Sequence, residues 1–269
     1  MPPRPGSRRI KNRMEDGRVK DRIFLDTTDF MIYGHEGWLE KSFSHAHKGE
    51  NVNICFNWGH NMQPHGSVRE EGLSAYVVGP DGKREDLPVG ESSQDGYVIS
   101  FLPETEGVYH VVCENRGYYV VDVSGKHLRG TLREYPDASQ ATAFIQYSHV
   151  MVSVGHDIPE EEAPRMPEIP LCLRPAKWRK WRAGDEIEFS LYFQNRPVSH
   201  TPVDVAFSKG FEEEVAQSAV NTDENGVVRI KAETPGKYLA IVRYTHPQGE
   251  EGICRDTRFT YTLSFIVVK

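Results

Sequence analysis

Turn signals recur every eight to twelve residues along this chain, and between them lie short runs that alternate apolar with polar. That rhythm constrains the fold more than any other feature. Val52, Ile54, Phe56 and Trp58 alternate with Asn53, Cys55 and Asn57, the period of a half-buried strand. Ala75–Val78 runs into Gly79-Pro80-Asp81-Gly82, a turn sequence. Further strand-like runs are 96–101, 107–113, 118–123 and 144–154. Only 131–142 is less regular and reads as a place for a helical turn; helical periodicity is nowhere sustained. The class expected is all-β.

The rhythm stops once, at an acidic, proline-rich stretch, 158–167, which reads as a linker. It restarts at Ile169–Leu173, then Ile187, Phe189, Leu191 and Phe193, then 203–207, 227–230, 237–242 and 259–268. Thr222-Asp223-Glu224-Asn225-Gly226 and Pro235-Gly236 punctuate it. So many strands in about 100 residues describe an immunoglobulin-like sandwich. The expectation is two antiparallel β-sandwich domains, 31–157 and 168–269, the second immunoglobulin-like. Residues 1–30 precede them as a poorly ordered arm. Eight Lys/Arg against three Asp/Glu in residues 1–22 make that arm basic.

Composition closes off other classes. The whole chain carries a net charge of −7, with 26% charged and 38% hydrophobic residues, against the basic stripe of a nucleic-acid-binding protein. No apolar run has the ~20 residues of a membrane helix. After the basic start no apolar segment follows of the kind a signal peptide needs, because Asp26, Thr27, Thr28 and Asp29 interrupt it. Cys55, Cys113, Cys172 and Cys254 fall two to each half. One disulfide per half and four separate thiols are both open readings.

Five of eleven histidines lie between His35 and His65. With a turn near Lys48-Gly49-Glu50, the strand ending at Gly59-His60 folds back so that His35 faces His60. Neutral imidazole is the commonest protein ligand for borderline transition metals, so the two form half of a candidate metal site. His65, just beyond, folds back as a third ligand. His149 is the fourth candidate, although it shares a strand face with Ile145, Tyr147 and Met151, the pattern of a core histidine. His45 and His47 lie beside the turn, too far along the strand to join His35 and His60. As His-x-His they sit on one strand face, where a surface metal contact is open. His156 is a boundary residue. His110 reads as core. Trp178-Arg179-Lys180-Trp181-Arg182 is either a stacking platform or a cover for the sandwich end. No catalytic triad, phosphate loop or H-E-x-x-H is present.

The motifs of the second half are Pro175, Gly184-Asp185, Arg196-Pro197-Val198, Thr222-Asp223 with Gly226, and Pro235-Gly236-Lys237-Tyr238. The first half adds His35 with Trp38-Leu39, Gly49-Glu50-Asn51-Val52 and Gly59-His60. Over about 35–269 this pattern resembles a bacterial family described as periplasmic components of cobalt/nickel uptake systems. The resemblance implies a non-enzymatic protein that captures nickel or cobalt, zinc being a further choice, and works with a membrane transporter subunit in the periplasm. The chain departs from the family in the 34 residues before His35, and in Tyr147-Ser148-His149 where the family often has Tyr-x-Lys. A metal-independent adhesion or carbohydrate-binding module is the competing expectation. A zinc hydrolase, built on three imidazoles and a water, is a third.

Overall fold

The computed structural model describes residues 7–13, 19–25, 27–91, 96–156, 158–159, 166–209 and 216–269. The protein is all-β, built from sheets whose described strands pair antiparallel everywhere but at one parallel pairing in the largest sheet. Among the described residues, no helix is long and apolar enough to cross a membrane.

Three layers make up the body. The front sheet orders Glu36–Glu40, Val52–His60, Tyr97–Phe101 and Val89–Glu91, with Gln63–Pro64 pairing onto Val52–His60. The back sheet contains Leu171–Pro175, Asp185–Phe193, Arg196–Pro197 and Val227–Ala232. Between them runs a nine-stranded sheet. Its middle is formed by Gly107–Val121, Gln140–Val154, Asp256–Val267 and Gly236–His246. One apolar core, with Ile54, Phe56, Ile99, Val111 and Val152, fills the space between front and middle sheets. Another, with Val112, Met151, Leu173, Phe189 and Leu263, fills the space between middle and back.

The two sandwiches expected from the sequence are therefore present, but they stand back to back and share their middle sheet. Gln140–Val154 pairs parallel with Asp256–Val267, from Thr142 opposite Asp256 to Val150 opposite Ser264. Residues 31–157 and 168–269 are thus not separate bodies. The front sheet also reaches across. Trp38 packs on Ala206, Leu239 and Ile241, and Thr262 Oγ1 donates to Gly37 O at 2.8 Å.

Covering by two layers explains the burial patterns. Gln140–Val154 is buried at nearly every position, because each face has a sheet over it. Asp185–Phe193, with one covered face, buries every second residue.

Several expectations fall differently. The two runs 107–113 and 118–123 are one strand, Gly107–Val121. The segment from Thr131 to Ser139 is a series of turns, one of them closed in the helical manner by the Tyr135 N–H donating to Thr131 O at 2.9 Å. Residues 1–30 are not simply an arm. Ser7–Arg13 pairs antiparallel with Val19–Leu25 in a two-stranded sheet, and Thr28–Tyr33 forms a 3-10 helix whose Met31 is buried. Most of the expected linker, residues 160–165, lies outside the described residues. All four cysteines are free. Cys113, Cys172 and Cys254 sit in three different apolar clusters, and Cys55 faces out from the front sheet.

Candidate metal centre

The front sheet brings His35 and His60 together as its pairing requires. Glu36 is opposite Gly59, so the next pair outward is His35 and His60, and their rings meet edge to face with centroids 4.0 Å apart. Beyond His60, Asn61 and Met62 take left-handed backbone angles (φ 49° and 66°), the geometry of a tight two-residue hairpin turn. That turn returns the chain along Val52–His60, with Gln63 opposite His60. His65 is then fixed by its own N–H, which donates to Trp58 O at 2.8 Å. Gly59 permits this close return, since a Cβ there would stand 2.0 Å from Gln63 O.

His35 is the hub. Its Nε2 lies 3.1 Å from His65 Nδ1, and its Nδ1 is buried without a hydrogen-bond partner. The His35–His65 contact is a hydrogen bond between the rings; since two imidazole nitrogens bound ~2.0–2.1 Å from one ion stand about 2.9–3.4 Å apart, its spacing also suits two ligands on one metal. His60 does not yet converge with them. Its Nδ1 turns toward Glu36 Oε2 at 3.7 Å, and its side chain is 43% exposed, with room to swing. The Phe30 ring stands against both His35 and His65, which makes the 3-10 segment one wall of the site. His65 is exposed on the other side.

Beneath the rings lies a charged group that the sequence pattern does not reveal. Glu36 is fully buried. Its Oε1 accepts from the Asn61 N–H at 2.5 Å, and its Oε2 accepts from Arg243 at 2.7 Å. Arg243 also donates to Asp204 at 2.9 Å and to Gly34 O at 3.1 Å. Glu36 precedes Arg243 by 207 residues, and nothing in the local pattern of either strand announces the pair. Burial pushes the Glu36 carboxyl up to about 7, against the pull of Arg243 and the Asn61 N–H. Burial, then His60 and His65, brings His35 down to about 4. His60 is also lowered, by burial and then by Arg243. Near neutral pH, therefore, His35 is an uncharged imidazole, the form that coordinates metal.

His149 is placed elsewhere. Its strand neighbours Gln146 and Ser148 face the site: Gln146 Nε2 donates to His35 O at 2.9 Å, and Ser148 lies against Gly37. His149 projects from the opposite face, among Tyr147, Met151 and the back-sheet core. Both its nitrogens are engaged there, with His110 Nδ1 at 2.9 Å and Tyr261 OH at 2.6 Å. It does not join His35, His60 and His65. Trp178 and Trp181 are buried at 7% and 4% exposure, so they cover the sandwich end instead of offering a platform.

Residues 32–246 match the family described as a domain of unknown function, DUF4198, and the chain belongs to that family. No curated protein matches it. Among solved structures, the D0–D1 domain of intimin is 12% identical, with 86% of this chain and 97% of that one covered at a TM-score of 0.21. A Salmonella α2-macroglobulin mutant is 14% identical over 91% of this chain, at a TM-score of 0.28. A DUF4785 family protein from Legionella pneumophila is 10% identical over 76% of this chain, at a TM-score of 0.27. This chain spans 16% and 51% of the latter two. TM-scores this low carry no inference about it.

Proposed function

From membership of a family without an assigned activity, we propose that the chain is a non-enzymatic metal-binding accessory protein that captures a divalent transition metal, nickel or cobalt, for an uptake system. One observation carries the reading: His35, uncharged at neutral pH, holds Nε2 3.1 Å from His65 Nδ1 while its Nδ1 has no partner. His60 rests on the same ring and is exposed enough to close over an ion. The resemblance to periplasmic cobalt/nickel uptake components supports the same direction, and with it a periplasmic location and a membrane transporter subunit as partner. Glu36 is held by Arg243 and Asn61, so it orients the strand end more readily than it ligates. An imidazole set with open positions suits capture followed by release better than a closed thiolate cage. The competing adhesion or carbohydrate role rests on Trp178 and Trp181, and their burial removes that support.

Isothermal titration of untagged protein with nickel, cobalt and zinc, beside a His35→Ala/His60→Ala variant, tests the proposal. The expected outcome is saturable binding with one equivalent fewer in the variant. Identical titrations of the two proteins would reject His35 and His60 as ligands.

A further inference from the structure

At the other end of the strand Glu36–Glu40, a second group of histidines assembles from parts far apart in sequence. His45, His47 and His156 bring one ring nitrogen each within 4.8 Å of the other two. Their ring centroids are 5.1 Å apart for His45 and His47, 4.7 Å for His45 and His156, and 5.1 Å for His47 and His156. Among the described residues, no other set of three histidine, cysteine or acidic side chains converges this way.

The backbone beneath them is rigidly held. Ala46 forms a parallel bridge to Val154. Its N–H donates to Ser153 O at 2.9 Å, and its carbonyl accepts from the Gly155 N–H at 2.9 Å. Ala46 is buried in the front core. In an extended segment its two neighbours then point the opposite way, together, which places His45 and His47 side by side on the outside. Gly155, at φ 104°, turns the chain as it leaves Gln140–Val154 and delivers His156 to the same spot. Any other residue at Gly155 would be strained in that conformation and would bring its Cβ to 3.0 Å from Glu106.

The rings have no packing duty. His47 and His156 are exposed and His45 is half-buried. Ser44 Oγ lies 3.1 Å from His45 Nδ1. In the tautomer whose Nδ1–H donates to Ser44 Oγ, Nε2 carries the lone pair that ligates, with Ser44 in the place of the outer partner that orients a metal-bound imidazole. Three imidazoles on one side of an ion leave the other side open to water or to a ligand from a partner.

We propose that His45, His47 and His156 form a second, solvent-open site for a divalent transition metal, with Ser44 positioning His45. The proposal stands independently of the His35–His60–His65 reading, because the two groups share no residue. An ion entering the site draws the nitrogens from the 4.8 Å envelope to the ~3 Å spacing of metal-bound ligands. The exposed His47 and His156 side chains supply that movement.

The test is a zinc and cobalt titration of the untagged full chain in four forms: wild type, His35→Ala/His60→Ala, His47→Gln/His156→Gln, and the combination of all four substitutions. The glutamines sit on the surface and leave the core untouched; unchanged thermal melting verifies this. His35→Ala/His60→Ala should keep one equivalent, and adding His47→Gln/His156→Gln should abolish it. Ser44→Ala in the His35→Ala/His60→Ala background should weaken that equivalent by roughly tenfold, as loss of an orienting partner does. The cobalt complex should show a ligand-field absorption that disappears with His47→Gln/His156→Gln. If His35→Ala/His60→Ala binds nothing, or if His47→Gln/His156→Gln titrates like wild type, the second site is overturned. The first of those results leaves the His35 site standing, and loss of metal only in His47→Gln/His156→Gln leaves the second site standing alone.

Discussion

His110 and His149 are as closely paired as His35 and His65, with ring nitrogens 2.9 Å apart in one case and 3.1 Å in the other. Their surroundings differ. His110 and His149 are 0% exposed, between the middle and back sheets. Tyr261 OH completes their chain at 2.6 Å from His149 and lies 3.5 Å from Leu173 O. His110 Nε2 ends it without a partner. A tautomer in which Tyr261 donates to Leu173, His149 donates to Tyr261 and His110 donates to His149 leaves only a lone acceptor unpaired, which costs less than an orphaned donor. His35 and His65 sit at a sheet end, with His65 exposed. The same residue type at the same spacing is thus a structural element in one place and a candidate ligand pair in the other. Each pair ends in one buried nitrogen without a partner, His35 Nδ1 or His110 Nε2, so access decides which: only the first pair meets solvent, through His65.

The comparison is broken most sharply by removing one ring from each pair. His149→Ala leaves a cavity, strips Tyr261 OH of its partner and isolates His110; a loss of about 3–5 kcal/mol in chemical denaturation is expected. His35→Ala, at a sheet end and packed against Phe30, Trp58, His60 and His65 but with one nitrogen already unpartnered, should cost less, about 1–2 kcal/mol. Equal costs would show that both pairs serve the fold.

Acid should act on both pairs and reach further into the buried one, because His35 is brought down only to about 4. Burial lowers His110 to about 3 and places His149 well below the ordinary histidine value, with His110 adding to the effect. Their folded pKa values lie below the unfolded ~6.5, so the unfolded chain binds more protons. Stability is then fully present above ~6.5 and is lost as pH falls from there toward about 3. For His110 the loss by about pH 4.5 should be roughly 2–3 kcal/mol. Denaturant titrations at several pH values check this, and a His110→Phe/His149→Phe variant should lessen the dependence, leaving the part that His35 contributes. A slope unchanged in that variant would place the acid sensitivity elsewhere.

For metal, the order of effect reverses. His35→Ala/His60→Ala should weaken binding at the first site at least tenfold, about 1.4 kcal/mol, while conservative changes at His110 or His149 leave calorimetric affinity unaltered. Metal loss on changing His149 in a protein that still melts cooperatively would join the two pairs after all. The smallest effect concerns the thiols. Cys55 is exposed while Cys113, Cys172 and Cys254 are buried, so an aromatic disulfide reagent should modify one thiol in the native protein and the other three on unfolding.

Much of the front sheet is legible in the order of its residues. The alternation of Val52, Ile54, Phe56 and Trp58 marks the buried face, and all four are at most 3% exposed. The turn at His47–Glu50 follows from Gly49, whose φ is 79°. The facing of His35 and His60 follows from hairpin register. His149 is less legible. Ile145, Tyr147 and Met151 mark its face as apolar, but nothing local shows that Tyr261 and His110 occupy both its nitrogens.

Periodicity and turn chemistry act over a few residues. The linear chain therefore suffices for the all-β class, most strand positions and the adjacency of His35, His60 and His65. Packing of the whole chain is what makes the two sandwiches share a middle sheet, through the parallel pairing of Gln140–Val154 with Asp256–Val267. Packing also brings Arg243 and Asp204 under the first site, and His156 beside His45 and His47. One cause underlies all three. A strand's pattern records which of its faces is covered, but the identity of the covering layer depends on a partner strand many residues away. The unbroken burial of Gln140–Val154 requires a layer on each side; which strands supply those layers is settled only when distant segments meet.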